Sequence, residues 1–161
     1  LANTDTITGL PNRNAIHELI SDAISQRGDS QVGVVYLDLD NFKKVNDAYG
    51  HMFGDQLLQS VSLAILSCLS ENQLLARFGG DEFAVIMSGT PAESAITAML
   101  RVREGLNTLR LPNTPQVTLR ISVGVAPLNP QMSHYREWLK SADLALYKAK
   151  KAGRNRTEVA A

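Results

Sequence analysis

Cysteine is almost missing from this chain. The single Cys68 among 161 residues excludes an intrachain disulfide framework and a Cys-rich zinc site, and it suits a reducing compartment. No apolar run approaches the roughly 18 residues of a membrane-spanning helix, and no secretory leader pattern opens the sequence. Charge of one sign is not in excess either, because sixteen Lys and Arg balance sixteen Asp and Glu. No overall field therefore draws the protein to nucleic acid or to anionic lipid, and any affinity for phosphate must come from a local cluster. There is no polar tract, and the six prolines are scattered singly. With 44% hydrophobic and 20% charged residues the chain carries enough apolar surface to fold. Its length fits one domain on a prior of roughly 100 to 200 residues each. Leu at position 1 is read as the start of a piece cut from a longer protein. The expectation is a soluble, cytoplasmic domain of residues 1–161.

What is present is hydrophobic periodicity that alternates between helix and strand values, which predicts an α/β domain. Ile16, Leu19, Ile20, Ala23 and Ile24 share a helical face, with Pro11 before the first turn and Gly28 at the stop, so a helix is expected at about 12–27. The β-branched run Val32 to Leu37 reads as a strand covered on both faces and ending at Asp38. Leu57, Leu58, Val61, Ala64, Ile65 and Cys68 form a second helical stripe. Leu74 to Phe78 and Phe83 to Met87 are short strands around the tight turn Gly79-Gly80-Asp81-Glu82. Thr90-Pro91-Ala92-Glu93 resembles a capping box, followed by a helix bearing Ala95, Ile96, Met99, Leu100 and Leu106. Val117, Leu119, Ile121 and Val123 alternate with Thr118, Arg120 and Ser122, which predicts a strand with one face in solvent. Tyr135, Trp138, Leu139, Ala142, Leu146 and Ala149 mark a last helix, ended by Gly153. A central sheet covered by helices follows.

Asp38 and Asp40 stand at the carboxyl end of a buried strand, where open α/β sheets bind ligands, and carboxylates there suit a hard cation. From spacing alone a solvated turn, or Asp40 as the N-cap of a following helix, accounts for them equally. Asp81 and Glu82 occupy a hairpin turn, and if its strands neighbour the first strand the acids meet. Lys148, Lys150, Lys151, Arg154 and Arg156 place five of the sixteen positive charges within nine residues. Helix-dipole complementarity explains one or two of these. Acids able to hold Mg²⁺ beside a separate basic cluster form the combination that a nucleoside triphosphate needs. No GxxxxGK[ST] loop exists, so the phosphates must be held in another way.

Arg77-Phe78-Gly79-Gly80-Asp81-Glu82-Phe83 resembles the signature of the GGDEF family, the diguanylate cyclases that condense two GTP into cyclic di-GMP. Three further segments are similar to that family, in order and across nearly the whole chain. Asp5-Thr6-Ile7-Thr8-Gly9-Leu10-Pro11-Asn12-Arg13 resembles its opening motif, with Ile7 where Leu is commoner. Asp38-Leu39-Asp40-Asn41-Phe42-Lys43, then Asn46-Asp47, Gly50-His51 and Gly54-Asp55, resembles its metal and guanine segment. Ala149-Lys150 with Gly153-Arg154-Asn155 resembles its closing motif.

The resemblance implies a central, mostly antiparallel sheet wrapped by helices, related to nucleotidyl cyclases and polymerase palms. It implies that Asp38, the Leu39 carbonyl and Asp81 hold Mg²⁺ or Mn²⁺, with Glu82 close by, and that Asp81 or Glu82 accepts the proton of the attacking hydroxyl. Lys43 is then expected to neutralise phosphate charge, and Lys150 and Arg154 to grip the distal phosphates. Asn46 and Asp55 correspond to guanine readers, since a carboxylate accepts from guanine N1 and N2 while an amide both donates and accepts. His51 is assigned to the nucleotide pocket. His17 and His134 are expected at the surface, Trp138 and Met99 in the core, and Cys68 as a small buried hydrophobe. Each domain holds one GTP, so the working form implied is a two-fold homodimer, with no nucleic-acid partner and no membrane contact by the domain itself.

One segment departs from the pattern. Where many members carry an Arg-x-x-Asp product-inhibition motif before the double glycine, this chain reads Ser70-Glu71-Asn72-Gln73. The expectation is a cyclase without that control. The alternative reading is a non-catalytic GTP-binding domain that regulates an attached or partner domain, while a purely structural dimerisation module leaves the acid and base clusters unexplained.

Overall fold

The computed structural model describes residues 2–26, 31–71, 73–89, 91–109, 118–128 and 134–160. Its centre is the ten-residue strand β1, Gln31–Asp40, in which every residue after Gln31 is buried. β1 lies between β3 (Glu82–Gly89) and β4 (Arg120–Pro127), antiparallel to both. β2 (Gln73–Gly79) pairs antiparallel with β3, and the short β5 (Thr157–Val159) pairs parallel with β4, giving the order β2-β3-β1-β4-β5. The mixed, mostly antiparallel sheet expected from the resemblance is therefore present.

Helices cover both faces, as the strand alternation of β1 requires. Val35, Leu37 and Leu39 pack with Leu57, Leu58, Val61 and Ile65 of α3 (His51–Ser67) and with Met99, Val102 and Leu106 of α4 (Pro91–Asn107). Val32, Val34 and Tyr36 point the other way, onto Ile16 and Ile20 of α1 (Ile16–Gln26) and Trp138, Ala142 and Leu146 of α5 (Tyr135–Lys151). Trp138 and Met99 are core residues, and His17 and His134 are exposed. Cys68 is only half-buried, packed at the margin of the core rather than inside it. Among the described residues no helix is long and apolar enough to cross a membrane.

Several expectations need correction. The first helix begins as a 3₁₀ turn, Arg13–Ala15, before α1, because Pro11 is engaged in a bridge with Thr4. β1 continues past Asp38 to Asp40. An additional helix, α2 (Phe42–Tyr49), follows it directly. β4 is not open to solvent on one face, because Ser122 is completely buried. The small residues Ser122, Gly124 and Ala126 let α5 lie directly on the strand, and a Cβ at Gly124 would collide with the backbone of Ala142 and Leu146. β5 has no counterpart in the sequence pattern. Gly28, Asn72, Thr90 and Val117, used in the readings above, lie outside the described residues.

Candidate active site

The register of the sheet brings the acids together. Asp38 of β1 faces Glu82 of β3 directly, and the Leu39 amide donates to the Asp81 carbonyl at 3.1 Å, locking the hairpin turn against the end of β1. Gly79 (φ 122°) and Gly80 (φ 52°) adopt left-handed conformations that let the chain reverse immediately before Asp81. Arg77, 6% exposed, holds the turn from beneath. Its Nε and Nη2 donate to the Gly80 carbonyl at 3.2 and 2.7 Å, and its Nη1 pairs with Asp5 at 2.7 Å. Asp5 also accepts from the Thr8 amide and hydroxyl at 2.9 and 2.6 Å. These bonds hold its carboxyl below the ordinary range although burial opposes them. The opening motif thus acts on the turn, a link that gave no signal in the sequence beyond the presence of Arg77.

Asp38 and Asp40 share one face of β1, two residues apart, a span of about 6.6 Å. The C-terminal turn of α5 carries Lys150, and the left-handed turn that follows it carries Arg154, both alongside this face. Lys150 consequently pairs with Asp38, and Arg154 with Asp40 at 3.4 Å. The buried Asp38 Oδ1 has no hydrogen-bond partner. Asp81 stands beside it, and its carboxyl is pushed up to about 7, first by burial and then by the neighbouring Asp38, with Lys150 opposing. Glu82 is raised for the same two reasons, with Arg13 and Lys150 opposing. The acids crowd one another, offset by the Lys150 ammonium and, at Glu82, also by the Arg13 guanidinium.

A divalent cation fits this arrangement. A buried carboxylate oxygen without a donor, beside a second carboxylate held above its ordinary pKa, is stabilised by positive charge between them. Asp38 and Asp81 are the two carboxylates brought together there. Among the described residues no three His, Cys, Asp or Glu side chains converge as a closed cage. Mg²⁺ needs only one or two protein carboxylates, since it keeps several waters and leans on substrate phosphates.

The remaining residues lie along the same end of the sheet. Lys43 is exposed in the first turn of α2, whose N-cap Asn41 makes no capping side-chain bond. Asp40 does not cap that helix, contrary to one reading of the spacing. Its Oδ1 accepts from Ser122 Oγ at 2.7 Å and Arg154 Nη1, and its Oδ2 accepts from the Asn155 amide at 3.1 Å. Asn46 sits one turn beyond Lys43, 3.0 Å from His51 Nδ1 through its amide nitrogen. The absence of a side chain at Gly54 makes room for the Asn46 carbonyl oxygen, which a Cβ there would strike. Asp55, the next residue, is exposed on α3, and the Asn46 amide bonds to His51. Asn46, His51 and Gly54 therefore form one unit, while Asp55 stands at its edge.

The site is thus a mixed α/β sheet that carries crowded carboxylates at one hairpin turn, opposed by the basic end of a helix. The chain belongs to the GGDEF family, because the model for "Diguanylate cyclase, GGDEF domain" matches residues 2–156. It is 62% identical over 163 aligned positions to "Probable diguanylate cyclase DgcC" of Escherichia coli K12, covering all of this chain and 44% of that protein. It is 56% identical over 157 positions to "Cyclic di-GMP phosphodiesterase PdeR" of the same organism, covering 96% of this chain and 23% of that one. The chain thus spans less than half the length of these curated relatives. The GGDEF domain of DgcB from Caulobacter crescentus, solved in complex with c-di-GMP, superposes with a TM-score of 0.88 at 32% identity, covering 99% of this chain and 96% of that one.

Proposed function

We propose that this domain is a diguanylate cyclase that works as a two-fold dimer. Each copy presents one GTP; the 3′-hydroxyl of each attacks the α-phosphate of the other, and two pyrophosphates leave. The observation that carries this reading is the pairing of Asp38 with Asp81 at the head of the hairpin, with Lys150 drawn against them. Asp38, Leu39 and Asp81 hold Mg²⁺ or Mn²⁺, which when bound supplies charge neutralisation at the phosphates. Lys43, Lys150 and Arg154 bind phosphate oxygens, and Asp81 or Glu82 takes the proton of the attacking hydroxyl. Asn46 and Asp55 read guanine, and His51 fixes the Asn46 amide.

The test is cyclic di-GMP and pyrophosphate release from GTP with Mg²⁺. Half of the reaction resides in each copy, so activity per domain is expected to rise with protein concentration; a tight dimer in sedimentation with concentration-independent activity would show that pairing needs nothing upstream, and full activity in a chain that sediments as a monomer would oppose the dimer. A second reading is favoured by the match to a phosphodiesterase, of which this chain covers 23%: a GTP-binding domain that regulates an attached activity. GTP binding without pyrophosphate release would select it.

The product-inhibition motif is replaced by residues that bind each other. The Ser70 amide donates to Gln73 Oε1 at 2.9 Å, and both residues line a shallow depression of about 330 Å³ with Glu93, Ser94, Thr97 and Arg101. A hydroxyl and an amide cannot supply the charge-assisted bidentate grip of Arg and Asp. Two such contacts, at roughly 1.5 to 3 kcal/mol each, represent about 10² to 10⁴-fold in affinity. Cyclic di-GMP titrated into the domain is expected to bind more weakly than micromolar. Micromolar binding that is lost when residues 70–73 become Ala would overturn the expectation.

A further inference from the structure

We propose that Asp40 is a positioning residue for the phosphate-binding turn after α5, a role that rests on the cyclase reading above. Asp40 is 3% exposed, and both of its oxygens are occupied. Burying a carboxylate is costly unless donors surround it. Here the donors come from two places: Ser122 Oγ on β4 fixes the carboxylate, and the Asn155 amide and Arg154 Nη1 are in turn fixed by it. Those two residues are the non-glycine members of a turn held in left-handed conformation, with φ of 65° at Arg154 and 48° at Asn155. Side chains beyond glycine adopt that region only at a cost of about 1 kcal/mol or more per residue, so surrounding bonds must determine it.

The backbone supplies part of this determination, since the Arg154 amide donates to the Ala149 carbonyl at 2.9 Å and the Val123 amide to the Arg156 carbonyl at 2.9 Å. Asn155 lies between these anchors, and its amide has Asp40. The result is a guanidinium tied at one nitrogen while its side chain remains 52% exposed. A tether of that kind restricts where Arg154 can point and leaves its other donors available to a phosphate. The same strand therefore serves two purposes two residues apart: Asp38 faces the catalytic acids, and Asp40 aims the cation that receives the triphosphate.

The experiment compares Asp40→Asn, Arg154→Ala, their combination and Ser122→Ala in the whole domain, using GTP titration calorimetry, steady-state kinetics and thermal unfolding. Asn keeps the shape but presents an amide where the Asn155 N–H or Arg154 needs an acceptor. Asp40→Asn is expected to weaken GTP binding and raise KM about tenfold, the size of one charge-assisted hydrogen bond, with kcat changed far less. In the Arg154→Ala background the same substitution is expected to add nothing, as coupled residues behave. Ser122→Ala removes one anchor of the carboxylate but leaves the Asn155 and Arg154 contacts, so it is expected to weaken GTP binding by less than Asp40→Asn does. Additive losses in the double variant, or unchanged GTP affinity in Asp40→Asn, would overturn the positioning role. Parent protein that binds GTP with no turnover would instead remove the cyclase reading and leave the calorimetric comparison intact.

Discussion

Asp81→Asn is expected to abolish cyclic di-GMP formation, by about 10³-fold or more when a cation-holding group and proton acceptor are lost together, while the domain stays folded. The turn carboxylate contributes little packing, and it stands against Asp38 in a crowded pair. Its carboxyl is raised from 3.8 to about 7 in the folded chain, so the folded state binds this proton more tightly than the unfolded one. The stabilisation is complete below about pH 4 and is lost as pH rises through about 7. In the absence of divalent cation the unfolding temperature of the parent domain is therefore expected to fall across that window, and the Asn variant to lack this part of the fall. Near-normal turnover in Asp81→Asn, assayed in a forced dimer, would remove the residue from the mechanism, and an unchanged pH slope would remove the carboxyl pair as its origin.

Guanine discrimination is expected to collapse in Asp55→Ala. A site built to hydrogen-bond a substrate group rejects an analogue lacking it by about 10⁴-fold, because its own polar groups are otherwise left unpaired. Gly54→Ala is expected to act on the same property from the other side, by driving the Asn46 carbonyl oxygen out of the space it occupies. The clash falls on the end of a side chain rather than on backbone, so the fold should tolerate it. Calorimetry with GTP and ATP reads both variants. If Asp55→Ala still prefers GTP by orders of magnitude, the guanine contact belongs to another residue.

The parts of this structure that were legible in the sequence share a property: their residues encode geometry without reference to distant segments. The run Val32 to Leu37 could only be a strand covered twice, and two glycines before Asp81 could only reverse the chain tightly. Where the outcome depended on what packs alongside, the pattern misled. Alternation in β4 resembles a half-solvated strand, yet its small residues are where α5 rests, and smallness is a different signal from polarity. α2 was legible only as a helix for Asp40 to cap, because its eight residues bury only Phe42, leaving almost no apolar stripe. β5 has three residues, too few for any period. The two aspartates of β1 are chemically identical in sequence, and only their neighbours separate them: Glu82 and Lys150 beside Asp38, Ser122 and the α5 exit beside Asp40.

The Arg77 clamp carries a thermodynamic consequence. A double-glycine turn has more conformational freedom to lose than any other, and a site built on one would ordinarily lose it when a ligand arrives. Here three side-chain hydrogen bonds from one guanidinium, two to the Gly80 carbonyl and one to Asp5, order the turn as the chain folds. In the proposed cyclase the entropy would be surrendered once, at folding, and would be absent from each later encounter with nucleotide. Asp5, 76 residues before Asp81 in the chain, would then act on binding through Arg77 alone.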